Sequence, residues 1–170
     1  MNAKSMAPDP RPALAAAQDL IRIDTEVLIE AQPARVHAYA SNASRWHEWH
    51  PATRSVEALP DRPLSMGESI VEHIRAGGRR FTATWTVIAC EPPLVWMIAT
   101  DTAQGLARIT YTLAPVDTGT AAVTRFHRRL ECRSKGWLRW LDPLLMPVTL
   151  VPQSRRALAN LKARIEQLRA

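Results

Sequence analysis

The chain contains few cysteines and few glycines, and each shortage excludes a class of protein. Its 170 residues include two cysteines, Cys90 and Cys132, so we expect a reduced, cytoplasmic protein with two buried thiols rather than a disulfide framework. The six glycines form no phosphate-binding loop. No Gly-x-Ser-x-Gly motif is present, and neither cysteine lies in a setting that would activate it as a nucleophile.

Long apolar runs and clustered positive charge are also missing. The most apolar window, 137–151, is interrupted by Arg139, Asp142 and prolines and is too short to span a bilayer, so we expect no stable membrane insertion. The first residues are polar and proline-rich, and we expect no signal peptide. The net charge of +6 comes from dispersed arginines, because only three residues are lysines. Without an RNA-binding motif, zinc-finger spacing or basic helix, nucleic acid is not an expected partner.

The last third of the chain carries the pattern of a long helix. Apolar residues recur at steps of three and four, which is one stripe of an α-helix: Leu158, Leu161, Ile165 and Leu168. The stretch before them is strongly apolar and is interrupted by three prolines, Pro143, Pro147 and Pro152. Each proline removes an internal hydrogen bond and favours a kink. We therefore expect a kinked C-terminal helix that requires a large apolar partner.

The residues before this helix show patterns that predict a β-sheet with short helices. Residues 1–19 are rich in proline and alanine, so we expect a disordered tail with one helical turn, followed by a single domain over 20–170. Alternating apolar and polar residues from Ile21 to Glu30 predict a half-buried strand. Pro33 then opens a short helix. The run 46–51 (WHEWHP) forms another helical turn with both indoles on one side, and a strand over Thr53–Leu59 follows.

The remaining strands form hairpins, and their turns allow residues to be paired. Across the two-residue turn at 77–78 we predict the pairs Ile70 with Trp85, Glu72 with Ala83, Ile74 with Phe81, and Ala76 with Arg79. A further strand covers Val95–Thr100. Across a turn at Asp117–Gly119 we predict the pairs Leu113 with Ala122, Tyr111 with Thr124, Ile109 with Phe126, and Ala107 with Arg128. The result is an α+β arrangement, in which one long helix covers the concave face of a curled antiparallel sheet.

Several of these segments resemble a known family. The strand 23–30, the helix start 33–36 (PARV), the run 46–51, the Glu-Pro-Pro at 91–93 and the segment 158–166 are similar to the polyketide cyclase/dehydrase group of the START-like (SRPBCC, Bet v 1-like) superfamily. The resemblance covers residues from about 21 to 169. It implies the helix-grip fold, in which a seven-stranded sheet wraps around the long helix and encloses an apolar cavity. The superfamily includes lipid carriers, hormone receptors and cyclases, so the resemblance does not specify a function.

Two charged residues fall on the predicted inner face of the sheet. Glu72 and Arg128 must each reach a partner, a ligand or the cavity mouth, because burying an unpaired charge is very costly. One interpretation makes Glu72 a general acid or base beside a lipophilic ligand. In the other, Glu72 and Arg128 lie at the sheet ends and meet water or each other. If the register is off by one residue, His73 takes the place of Glu72. Tyr111 is the third weak candidate for catalysis.

Apolar and aromatic side chains dominate the predicted cavity wall. The candidate ligand-binding residues are Trp49, Ile70, Glu72, Trp85, Met97, Ile109, Tyr111, Phe126 and Arg128 of the sheet side and Leu141, Leu145 and Val148 of the helix. They either line a cavity or fill the space completely. His47 and His50 have the spacing of a metal pair, but no third ligand stands at a telling distance, so we expect neither a metal nor another cofactor.

Three hypotheses of function follow from these residues. The first is a non-catalytic module that binds a small hydrophobic molecule such as a lipid, a quinone or a polyketide-like compound. The second is an aromatase/cyclase-type enzyme that folds a poly-ketone chain in the same cavity. The third is an interaction domain that forms a homodimer through Ile88, Trp96 and Ile98 on the outer face of the sheet.

Overall fold

Seven antiparallel strands form one curled sheet. The computed structural model describes residues 9–57, 60–76, 79–119 and 121–168. The strands are β1 (Ile21–Ile29), β2 (Thr53–Val56), β3 (Ser69–Ala76), β4 (Arg79–Glu91), β5 (Val95–Asp101), β6 (Gly105–Val116) and β7 (Val123–Ser134). Their order is β1-β7-β6-β5-β4-β3-β2, so strands β2 to β6 each pair with the next strand in the chain, and β1 joins the far side of β7.

In the part of the chain that the structure describes, four α-helices accompany the sheet. They are α1 (Pro10–Ala16), α2 (Pro33–Ala40), α3 (Trp46–Trp49) and α4 (Asp142–Gln167), with short 3-10 helices at Ala43–Arg45 and Trp137–Leu141. As predicted, Pro33 stands in the first turn of α2, where its missing N–H breaks no helix bond. The predicted architecture, a seven-stranded sheet around a long C-terminal helix, is confirmed. Strand β2 ends at Val56, and the predicted end at 59 lies outside the described residues.

The second half of α4 is the part that the sheet grips. Leu158, Leu161 and Ile165 are 2%, 0% and 1% exposed and belong to the main core, as predicted. Leu168, the fourth residue of the predicted stripe, is exposed because it lies just after the end of α4. Asn160 in the same half donates to the carbonyl oxygen of Trp49 at 3.1 Å and ties α4 to α3. The helix continues from Asp142 to Gln167 through Pro147 and Pro152.

The first hairpin has the predicted register and the second does not. Strands β3 and β4 pair Ile70 with Trp85 and Glu72 with Ala83, as expected, although the turn at 77–78 lies outside the described residues. In the second hairpin Tyr111 pairs with Arg128, not with Thr124 as predicted. Strand β6 continues to Val116, so the loop begins later and the register moves by four residues. Because four is even, every side chain keeps its predicted face.

The predicted orientation of β5 was wrong. Trp96 and Ile98 are 0% and 1% exposed and point into the main core, whereas Met97 is turned away from the cavity. Ile98 pairs with Val87, and the β4–β5 pairing shifts register between Val87 and Ala89. A β-bulge of this kind inverts an alternation read from sequence alone. The proposed dimer surface of three apolar side chains therefore does not exist in that form.

The outer face of the sheet is covered by α1. Asp9 caps this helix by accepting a hydrogen bond from the backbone N–H of Arg11 at 3.0 Å. Leu14 packs with Ala99, Leu106 and the partly buried Ile88 on the convex side. Residues 10–16 are therefore a packed helix rather than the disordered tail predicted for them, while residues 1–8 lie outside the described residues. Within the described ranges, no helix has the length and apolar character needed to cross a membrane.

Candidate functional site

A cavity of about 350 Å³ lies between the sheet and α4. Its size falls in the range of small-molecule sites. The wall is mostly apolar, and at one end it consists of buried residues from α3 and strands β2 to β7. The other end lies by the β5–β6 turn, around Thr102 and Gln104, beside the first half of α4. The fold therefore encloses a lipophilic space with one buried end and one accessible end.

Glu72 is the carboxyl group at the buried end. It is 5% exposed, and its two oxygens accept hydrogen bonds from the Thr53 hydroxyl and, at 2.7 Å, from Trp85 Nε1. Burial raises the pKa of Glu72, while these two hydrogen bonds and the charge of Arg128 act in the opposite direction. A carboxyl group held in this way is suited to exchange a proton with a bound molecule.

Arg128 and Tyr111 stand opposite each other on β7 and β6. Arg128 is 2% exposed and donates from Nη1 to Ser154 Oγ of α4 at 3.0 Å. Burial raises the pKa of Tyr111 to about 12, although the neighbouring guanidinium favours the phenolate. Tyr111 also stacks on Trp96, with ring centroids 5.3 Å apart. The tyrosine hydroxyl is therefore a hydrogen-bonding group at neutral pH, not an anion.

His50 completes the polar end of the cavity. Its ring lies edge-on to Trp49, with centroids 5.5 Å apart, and Thr53 Oγ1 is 3.4 Å from its Nδ1. Burial, reinforced by the charge of Arg128, lowers the pKa of His50 to about 3. The imidazole is thus neutral at pH 7 and can donate or accept a hydrogen bond but carries no charge.

Half of the predicted ligand-binding residues lie on the cavity wall. These are Trp49, Glu72, Trp85, Ile109, Tyr111 and Arg128. Ile70 and Phe126 are buried in the core beside it, and Phe126 packs on Tyr111 with centroids 5.0 Å apart. Met97 faces the other side of the sheet because of the bulge. His73, the substitute for Glu72 in a shifted register, also lies on the outer face, where its ring nitrogens are 3.2 Å from Thr82 Oγ1 and 3.9 Å from Glu57 Oε1.

The helix residues predicted for the wall were wrong. Leu145 and Val148 are 52% and 72% exposed, and Leu141 is not on the wall. The helix instead presents Met146, Leu150, Gln153 and Ser154. Steps of four backward from Leu158 lead to 154, 150 and 146, so the stripe already visible in the sequence would have identified this face. Pro147 and Pro152 do not interrupt this stripe, because the helix continues through both.

The thiols and histidines show no arrangement for nucleophilic or metal chemistry. Cys90 and Cys132 are free, and burial raises the pKa of both, to about 12 for Cys132 on the cavity wall. Among the residues that the structure describes, no cluster of three or more His, Cys, Asp or Glu side chains is placed to hold a metal ion. His47 is exposed, while His50 lies at the cavity.

A curled antiparallel sheet around a long helix, with a lipophilic cavity between them, defines the helix-grip class of proteins. The family model described as "Polyketide cyclase / dehydrase and lipid transport" matches residues 21–166, and the chain belongs to this family. A comparison with curated protein sequences finds no match.

Solved structures share the fold at low sequence identity. The Zhui aromatase/cyclase from a Streptomyces species has a TM-score of 0.73 at 13% identity, over 89% of this chain and 97% of that chain. A START superfamily protein from Mycobacterium smegmatis has a TM-score of 0.65 at 14% identity, over 86% and 98%. A protein from Thermus thermophilus has a TM-score of 0.73 at 14% identity, over 88% and 100%. Such identities establish a common fold and leave the function open.

Proposed function

We propose that this protein binds a small hydrophobic molecule, such as a lipid, a quinone or a polyketide-like compound, in the cavity between the sheet and α4. The observation that carries the proposal is the cavity itself, because aromatic and aliphatic side chains surround it on a scaffold that is otherwise closely packed. Family membership supports it, since the family's description includes both lipid transport and cyclisation.

The direct test is mass spectrometry of the freshly purified protein under native conditions and again after denaturation and solvent extraction. We expect an additional mass that disappears on denaturation and identifies the ligand class. A protein that is free of ligand, and whose tryptophan emission does not change with added fatty acids, quinones or aromatic polyketides, would contradict the proposal. Tryptophan emission is a suitable probe because Trp49 and Trp85 are on the cavity wall.

Filling the cavity should abolish binding without unfolding the sheet. Ala83 is 2% exposed on the wall, and Ala83→Trp places an indole where the ligand would lie. We expect the affinity for the extracted ligand to fall at least about tenfold, with an overpacking cost of about 1–3 kcal/mol in the free energy of unfolding. Thr82→Trp, on the outward face of the same strand, is the control and should bind normally. Equal binding by both variants would place the ligand elsewhere.

A second candidate function is an aromatase/cyclase-type reaction on a polyketide-like substrate. Its specific support is Glu72, a buried carboxyl group with a raised pKa close to Tyr111 and Arg128. In this reading Glu72 moves protons while Arg128 and Tyr111 donate to carbonyl oxygens of the substrate. No metal or nucleotide is needed for such a reaction.

Replacing Glu72 distinguishes a binding protein from a cyclase. Glu72→Gln keeps the size of the side chain and one accepting oxygen for Trp85, and its NH2 group can donate to the Thr53 hydroxyl, but the acid–base chemistry is removed. If the protein is a cyclase, cyclisation of a synthetic linear poly-ketone thioester, followed by absorbance, should slow about 10²–10⁴-fold while affinity survives. If it is only a binding protein, the wild type shows no cyclisation above background and the variant binds ligand as before. Glu57→Gln, at an exposed position, is the matched control.

A further inference from the structure

The buried guanidinium of Arg128 has more hydrogen-bond donors than partners. Each of its five N–H groups requires an acceptor once it is removed from water. Ser154 accepts from Nη1 and Tyr111 also hydrogen-bonds the guanidinium, but Nε is buried and has no partner. Among the described residues, no carboxylate lies within ion-pair distance of this guanidinium, although other arginines of the chain have such partners. A buried charge in this state is costly to keep.

Other residues of the cavity wall also carry unpartnered polar atoms. Within the described ranges, four buried side-chain polar atoms have no hydrogen-bond partner: His37 Nε2, Trp49 Nε1, Thr100 Oγ1 and Arg128 Nε. Three of them belong to cavity-lining residues, and the exception is His37. Native proteins leave few buried polar groups unsatisfied, so their concentration in the residues of one cavity favours a ligand that brings polar groups to this site.

The types of these atoms specify the ligand's chemistry. Arg128 Nε and Trp49 Nε1 can only donate, so the group that satisfies them must be an acceptor. The two residues are brought together by Tyr111, which pairs with Arg128 in the sheet and approaches Trp49 with ring centroids 6.4 Å apart. The positive charge favours an anionic acceptor, and the planar fork of a guanidinium matches a carboxylate.

We propose that the ligand is an amphiphile with a carboxylate head, which Arg128 binds at the buried end of the cavity with help from Trp49. The apolar body then lies toward the accessible end, between Ile98, Ile109 and Leu150, with Cys132 and Met146 beside it. This assignment rests on the proposed function and adds to it the chemical class of the ligand and its direction in the cavity.

The test compares two probes of equal chain length, decanoate and 1-decanol, by tryptophan emission with the 170-residue protein. We expect decanoate to bind about 10–100-fold more tightly, the range for a charge-assisted hydrogen bond. In Arg128→Met that preference should disappear while decanol affinity stays the same. Arg125→Met, on the opposite face of the same strand, is the matched control and should keep the preference. Arg128→Lys should keep part of it, since the charge remains and the fork is lost.

The outcomes separate this inference from the proposed function. Equal binding of decanoate and decanol by the wild type would overturn the carboxylate assignment and leave hydrophobic binding in place. Binding of neither probe would contradict both. The comparison within the wild type needs no variant, so it holds even where Arg128→Met does not fold.

Discussion

Replacing Leu161 with alanine should lower the free energy of unfolding by about 2–5 kcal/mol. Leu161 is 0% exposed in the half of α4 that the sheet surrounds, so the deletion leaves a cavity that its rigid neighbours cannot close. Urea unfolding followed by tryptophan emission measures the change, which should appear in the transition midpoint with an unaltered slope.

Leu168→Ala on the turn that ends the same helix is the control for this substitution. Leu168 is 62% exposed, so the same change of side chain should alter stability by no more than about 0.5 kcal/mol. If the two variants lost equal stability, α4 would not be held by the sheet in the way the core cluster indicates. Because both variants make the same change of side chain, the difference in their free energies of unfolding measures the effect of packing α4 against the sheet.

Acidification should destabilise the wild-type protein more than the variant His50→Gln. The folded-state pKa of His50 is about 3, whereas an unfolded histidine titrates near 6.5. Between these values the unfolded state binds the additional proton, so the contribution of His50 to stability is complete above pH 6.5 and is lost as the pH falls toward 3. At pH 4.5 the loss amounts to about 2–3 kcal/mol relative to pH 7.

The measurement is the free energy of unfolding in urea at several pH values from 7 to 4.5. The raised pKa of Glu72 acts with the opposite sign, because protonation then favours the folded state, but it is present in both proteins and cancels in their difference. His47→Gln, at the exposed histidine three residues earlier, is the control for removal of an imidazole. Parallel curves for the wild type and His50→Gln would show that His50 is hydrated in the folded protein.

The sequence predicted faces of strands better than it predicted their partners. The first hairpin was correct because a two-residue turn leaves one register. The second moved by four residues because the length of its loop, not its composition, sets the pairing, yet Tyr111 and Arg128 kept the inner face. The inner and outer faces of β5 were predicted the wrong way round, because a bulge near Val87 adds one residue to the alternation. No sequence pattern marks where a bulge will form.

The charged residues of the candidate site were the ones that the sequence identified. Glu72 and Arg128 stood out as charged residues in apolar alternations, and both lie on the cavity wall. The sequence did not predict the wall residues Thr53, His50 and Ser154. Hydroxyl and imidazole groups are common at protein surfaces, and their role depends on their surroundings in the folded protein. For Ser154 the helix stripe was the available signal. For Thr53 the approach of Glu72 across β2 and β3 is visible only in three dimensions.

Because α1 packs on the sheet, the folded domain begins before the segment that matches the family model. The family match begins at residue 21, but the buried surface begins with Pro10, whose helix covers Ala99 and Leu106. A shortened chain trimmed to the family boundary would retain every cavity residue and expose an apolar strip on the convex side of β5 and β6. Self-association of such a fragment would then arise from its boundary and would say nothing about the oligomeric state of the 170-residue chain.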